Sequence, residues 1–202
     1  MIEFMPSDDI LVERAKAGER AAFDELYQKY KRPILNYIYR FIGKRAQAEE
    51  LTQEAFVRAY INMHKFEPKA KFSSWLYRIA ANLSKNFLRH AQYEKRFLPF
   101  KQGSYDGEDE NRGFIENIED SARKPDEIAQ ASEAERFLQA AMDKLPVHLK
   151  EALILCDIKG ASYEEAAKIM RCRPMTVGSR ISRARQKLAV LLGHLKNGEA
   201  SK

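Results

Sequence analysis

Residues 162–192, SYEEAAKIMRCRPMTVGSRISRARQKLAVLL, decide the fold of this chain. Ser162 followed by Glu165 forms a capping box, in which the hydroxyl takes an orphan backbone N–H and the carboxylate reaches back. A short helix follows, Arg171, Cys172 and Arg173 supply a turn, and Pro174 suits the first turn of the next helix. Advancing about 100° per residue from Val177 puts Val177, Ile181, Ala184 and Leu188 on one apolar stripe. Met175, Ser179, Ser182, Arg183 and Gln186 face the other way, with Arg180 and Arg185 on the flanks. That is the layout of a helix-turn-helix whose second helix reads DNA: apolar back, hydrogen-bonding front, cationic flanks for phosphates. The competing reading is an ordinary bundle helix with a solvated charged face. The cap, the turn and the preference for arginine over lysine favour DNA reading.

Composition agrees with that direction. The 202 residues carry a net charge of +6 and are 45% hydrophobic and 32% charged. Mean hydropathy is -0.55 and the sequence pI is about 9.2. Such a chain can build one or two small domains, has no membrane span, and mildly favours a polyanionic partner. Its first thirty residues hold no apolar run fit for a signal peptide, which predicts a cytoplasmic protein. Cys156 and Cys172 are too few for a disulfide framework and lack metal-ligand company, so no metal and no cofactor is expected. Basic residues gather at Lys85, Arg89, Lys95 and Arg96 and again between 171 and 187. Acidic residues fill the interval from Asp106 to Glu127. Two nucleic-acid-facing modules joined by a segment that avoids DNA would be charged this way.

The remaining periodicity is helical. Phe23, Leu26, Tyr27, Tyr30, Ile34, Ile38 and Phe41 recur at three- and four-residue steps, with Gly43 as a stop signal. Residues 49–63 form a second helix, Pro68 makes 66–72 a loop, and Ser73 opens a third. From 99 to 131 the pattern fades amid glycines, as in a linker. Ser132 with Glu135 forms another capping box, and helices resume over 137–144 and 146–158. Residues from 196 onward are expected to fray. The fold class is therefore all-α: a helical domain over 1–98, a flexible acidic linker over 99–131, a helix-turn-helix domain over 132–195 and a tail over 196–202.

Three of these stretches, AEELTQEAFVRAY at 48–60, FSSWLYRIAANLSKNFL at 72–88 and SYEEAAKIM…TVGSRISRARQKL at 162–188, resemble bacterial ECF sigma factors of the sigma-E-like group. The resemblance covers nearly the whole chain, and three motifs in order are far more specific than a helix-turn-helix alone. It implies an alternative sigma factor that binds core RNA polymerase, recognises a promoter and helps melt it, without catalysis of its own. In that family the first domain grips the polymerase clamp through a helix like 49–60, which assigns Glu50, Gln53, Glu54 and Arg58 to core binding; clamp and flap of core polymerase are the implied partners. The loop at 66–72 and the helix after it resemble the reader of the start-proximal promoter box. Unstacked bases are held by aromatic and cationic surfaces plus hydrogen bonds to their edges. Phe66, Lys69, Lys71, Phe72 and Ser74 are assigned to that pocket with Asn82, while Lys85 and Arg89 would hold phosphates. Trp75 is read as packing in preference to stacking.

The recognition helix would lie in the major groove of the upstream box, with Thr176, Ser179, Arg180, Ser182, Arg183 and Arg185 contacting DNA. Here the chain departs from the pattern. Gly178 stands where sigma-E-like proteins usually carry arginine, Met175 replaces a usual glycine, and Ala166 a larger aliphatic. Boxes a little over two helical turns apart are roughly 70 Å from each other at 3.4 Å per base pair. A linker of about 30 residues reaches at most ~100 Å extended and averages ~30 Å as a coil, so polymerase must hold it open. The resemblance also implies promoter DNA, double- and single-stranded, as ligand, no small-molecule substrate, and an anti-sigma factor that could hold the protein at the membrane. The rival readings are a stand-alone helix-turn-helix regulator, which would need a ligand pocket, phospho-acceptor or dimer surface, and an enzyme. The four histidines are scattered and no Gly-rich phosphate loop occurs, which argues against the enzyme.

Overall fold

The computed structural model describes residues 6–67, 71–97 and 133–199. The linker assigned to 99–131, and Ser132 of the second capping box, lie outside the described residues. Among the described residues eight α-helices are formed in chain order: α1 Asp8–Lys16, α2 Arg20–Ile42, α3 Arg45–Ile61, α4 Phe72–Phe97, α5 Glu133–Asp143, α6 Val147–Leu153, α7 Tyr163–Met170 and α8 Pro174–Glu199. A 3-10 turn at Met63–Lys65 separates α3 from the loop before α4. No strand occurs among the described residues.

The first four helices pack on one another, α2 lying against α1, α3 and α4. Leu26, Ile34, Ile38 and Phe41 are fully buried on α2, as their spacing predicts, and Tyr37 joins them. In the second half α8 is the central element and packs against α5, α6 and α7. After Leu153 the helix widens into a π turn over Ile154–Ile158, with Lys159 N donating to Ile154 O at 2.9 Å. The last helix runs on to Glu199 rather than ending near 196. Gly193 and Gly198 each weaken a helix by about 1 kcal/mol relative to alanine, which is too little to stop one already propagating.

One contiguous apolar core, from Leu11 to Ala184, runs through both halves. The junction is built at the end of α2. Gly43 sits at φ +74 and returns its N–H to Tyr39 O at 2.8 Å, the glycine C-terminal cap. Helix ends leave carbonyls without partners. Here Gln139 Nε2 donates to Arg40 O at 3.2 Å and Lys150 Nζ to Phe41 O at 3.1 Å, so the second half caps a helix of the first. Both side chains are buried, Lys150 with 3% of its surface exposed. Asp143 Oδ1 neutralises the lysine at 3.0 Å and also accepts from Gln139 at 3.1 Å.

Gly43→Ala tests this junction. A left-handed backbone costs an L-residue about 1–2 kcal/mol, and the new Cβ would stand 2.9 Å from Asp143 Oδ2. The expected result is a loss of about 1–2 kcal/mol in denaturant unfolding. An unchanged midpoint would show that α2 does not end in this left-handed cap.

Candidate nucleic-acid interface

The helix-turn-helix forms as its sequence dictates. Ser162 Oγ accepts from Glu165 N at 3.2 Å, and Glu165 Oε2 accepts from Ser162 N at 3.4 Å. Arg171 ends α7 at φ 51, a left-handed position taken here without a glycine, and Pro174 opens α8. Val177, Ile181 and Ala184 are 0–1% exposed and Leu188 is half-buried, so the predicted stripe is the packed one. On the outer side Ser179, Ser182, Arg183 and Gln186 are exposed and Met175 is 87% exposed.

The flanking residues have partners. Ser179 Oγ donates to Thr176 O at 3.0 Å, and Thr176 is half-buried. Arg180 leans back toward the turn, its Nη1 3.8 Å from Cys172 Sγ. Arg185 makes a bidentate pair with Asp157, at 2.9 and 2.7 Å, and the hydrogen bond holds its guanidinium pKa above the ordinary value. A Cβ at Gly178 would meet the Tyr163 ring at 3.4 Å, so this aromatic ring lies against the helix at that position. Neither Asp157 nor Tyr163 was legible as part of the surface, because both reach it from outside the recognition helix.

Residues assigned to the start-proximal box divide into three groups. Phe66 and Phe72 are core, at 5% and 2% exposure, with ring centroids 6.0 Å apart; Trp75 lies 5.2 and 5.8 Å from them. Both phenylalanines, assigned to the base-holding pocket, are thus turned into the core against each other and Trp75, and Trp75 packs as expected. Ser74 is buried on α4. Lys71 and Lys85 are held by carboxylates from the second half: Lys71 Nζ donates to Glu165 Oε1 at 2.5 Å, and Lys85 Nζ lies 3.0 and 3.3 Å from the Glu151 oxygens. The Lys71 hydrogen bond lowers the Glu165 carboxyl pKa, and the same bond raises that of Lys71. Asn82 and Arg89 are exposed, and Arg89 Nη2 donates to Asn86 Oδ1 at 3.1 Å. Lys69 lies outside the described residues.

On α3 the inward face is Ala48, Thr52, Ala55, Phe56 and Ala59. Thr52 bonds back to Ala48 O at 2.6 Å, satisfying its buried hydroxyl. The opposite face carries Glu50, Gln53, Glu54 and Arg58, with Glu54 and Arg58 paired at 2.5 Å. Val57 and Ile61 fall on that same face at helical spacing, 56% and 62% exposed. These two apolar residues are absent from the assignment by resemblance, which took only the polar side of the helix. A polar rim around exposed aliphatics is the composition of a protein-docking face.

Among the described residues no group of His, Cys, Asp or Glu could hold a metal ion, and Cys156 and Cys172 are free and half-buried. Among the same residues no helix is long and apolar enough to cross a membrane.

Comparison with known proteins agrees with this architecture. Residues 26–93 match Sigma-70 region 2 and residues 137–188 match Sigma-70, region 4. The chain is 38% identical over 183 residues to the RNA polymerase sigma-H factor of Pseudomonas aeruginosa, covering 89% of this chain and 90% of that protein. It is 34% identical over 180 residues to the ECF RNA polymerase sigma-E factor of Haemophilus influenzae, covering 89% and 92%, and 32% identical over 181 residues to that of Escherichia coli K12, covering 89% and 91%. Among solved structures the fold is similar to CnrH, determined in complex with the cytosolic domain of CnrY, with a TM-score of 0.67, 24% identity, and 92% and 97% of the two chains covered. It is also similar to the sigma factor RpoE of Bartonella quintana, in complex with the anti-sigma factor NepR: TM-score 0.60, 22% identity, and 85% and 96% coverage. With both halves matched in order and relatives aligned over most of their length, the chain belongs to the ECF group of the sigma-70 family of RNA polymerase sigma factors.

Proposed function

We propose that the two halves work as one promoter reader on core RNA polymerase, and that the exposed face of α3 is where the first half docks on the clamp. The exposure of Val57 and Ile61 between Glu50, Gln53, Glu54 and Arg58 carries this assignment, because a helix facing only water has no reason to present aliphatics in a row. On α8, Ser179, Ser182 and Arg183 face outward for base edges of the upstream box. Thr176, Arg180 and Arg185 stand beside them for the backbone, as phosphate contacts position while base contacts specify. In the first half Lys71, Asn82, Lys85 and Arg89 line α4 and its approach for the start-proximal strand. Lys69 belongs to the same group by sequence. Ser74 and the rings of Phe66 and Phe72 are buried and contribute packing, not contacts with DNA.

No reaction is assigned to these residues; the protein is an initiation factor and polymerase performs the chemistry. Its place is the cytoplasm. An anti-sigma factor is a further partner, a reading supported by the complex with an anti-sigma factor in which the Bartonella sigma factor was solved.

The direct test adds purified protein to core polymerase and maps the transcripts. Initiation at a defined promoter set, absent with core alone, is the expected result. Failure to redirect polymerase, together with dimeric operator binding by the protein alone, would instead establish a stand-alone regulator. Placing a charge on the docking face by Ile61→Asp is expected to weaken core binding by at least about tenfold, as for a central interface residue. Folding and upstream-box binding should be unchanged, since Ile61 is exposed. Normal polymerase affinity in that variant would move the clamp contact elsewhere.

A further inference from the structure

Met175 is 87% exposed, more than any other large apolar side chain among the described residues. It is the second residue of α8 and stands at the centre of the outward face, opposite the packed stripe of Val177, Ile181 and Ala184. Around it that face is low. Ser179 and Ser182 follow on the same line, Gly178 has no side chain, and the Ser179 hydroxyl donates to its own helix at Thr176 O. The arginines of the flanks turn aside, Arg180 toward Cys172 and Arg185 onto Asp157. Met175 is therefore the one long side chain on the outward face of the first two turns. The N-terminal end is the part of a recognition helix that meets base edges. In the major groove the apolar group on offer is the C5-methyl of thymine; the other base edges present donors and acceptors there. A thioether is at most a weak acceptor. Over a polar edge it would displace water without replacing the hydrogen bonds, which costs free energy. Against a methyl group its unbranched chain and polarisable sulfur can adapt to close contact.

We propose that Met175 is a specificity-determining residue of α8, which reads one thymine of the upstream box by packing on its C5-methyl. The proposal rests on the assignment of α8 to that box made above. Selection has two parts. Thymine gains a dry apolar contact, and a cytosine, guanine or adenine edge at the same place loses water to a side chain that cannot bond it. The short serines and Gly178 leave the room for that contact, because no longer neighbour on the first two turns holds the helix away from the base.

The test uses the full chain bound to core polymerase. Duplexes randomised over the upstream box and selected by this holoenzyme define the box. Each thymine in it is then replaced in turn by deoxyuridine, which lacks only the methyl. At one position wild type should lose about fourfold in affinity, the worth of one buried methyl. Met175→Ala should bind the thymine and deoxyuridine duplexes equally, and Met175→Leu should keep most of the difference. At the same position 5-methylcytosine should bind wild type more tightly than cytosine does, and Met175→Ala should not distinguish them. Thermal unfolding should be alike in all three proteins, since the side chain is exposed. A selected box without thymine, a wild-type holoenzyme indifferent to every deoxyuridine, or a methyl effect that survives in Met175→Ala would overturn the proposal. If the holoenzyme selects no upstream sequence at all, the assignment of α8 falls as well, a result distinct from selection that ignores the methyl.

Discussion

Phe72→Ala is expected to lower the free energy of unfolding by about 3–5 kcal/mol, the range for truncating a buried phenylalanine. Phe72 is 2% exposed and its ring stands 5.7 Å from Tyr30, 6.0 Å from Phe66 and 5.8 Å from Trp75. Those three rings come from α2, the end of the 3-10 turn and α4, so one side chain joins three elements. Tyr30 in turn donates its hydroxyl to Asp8, tying α1 to the same cluster. Removing the ring leaves a void that the helices cannot fill without abandoning these contacts. Phe72→Leu keeps most of the volume and should cost far less. Chemical denaturation of both variants, followed by far-ultraviolet circular dichroism, measures the difference. The competing role, stacking on an unpaired promoter base, makes the opposite prediction: alanine would leave the midpoint unchanged and abolish capture of single-stranded DNA. That result would remove Phe72 from the core of the functional state.

The two readings of Phe72 show where sequence stops informing structure. Helix-scale features were legible because they depend on neighbours three and four positions away. The Ser162–Glu165 box, the stripe of Val177, Ile181 and Ala184, and the stop at Gly43 all follow from local spacing. An aromatic in a basic loop carries no such mark. Whether Phe66 and Phe72 face a base or each other is decided by Tyr30 and Trp75, which only the packed fold brings near. The lysines were legible as cations and illegible as partners: Glu165 is 94 residues from Lys71, and Glu151 is 66 from Lys85. Lys150 is the extreme case, since nothing in VHLKEAL announces a buried ammonium. Its burial follows from carbonyls left over at the end of a helix more than 100 residues earlier, Phe41 being 109 positions away. On α3 the missed feature was closer to hand. Val57 and Ile61 lie at i and i+4 with Gln53 and Glu54 on one face, a pattern that an assignment restricted to polar residues passes over.

Ile181→Ala and Arg183→Ala, two positions apart on α8, are expected to separate folding from reading. Ile181 is 1% exposed between Val177 and Ala184, and its truncation should cost about 2–5 kcal/mol of stability. Arg183 is exposed and has no hydrogen-bond or ion-pair partner among the described residues, so its loss should change stability by no more than about 0.5 kcal/mol. Their effects on promoters should differ in kind. A destabilised recognition helix reduces the folded fraction and weakens every upstream sequence equally, with recovery on moderate cooling. A missing base contact removes about 1–3 kcal/mol at a single base pair, leaving the variant indifferent to which base stands there. Binding measured across an upstream box substituted one position at a time, at two temperatures, resolves the two patterns. Uniform loss in a fully folded Arg183→Ala variant would make Arg183 a phosphate contact. The base would then be read by Ser179 or Ser182, the neighbours left beside Gly178. There the Tyr163 ring lies against α8, and on that reading it would set how deeply the helix can enter the groove.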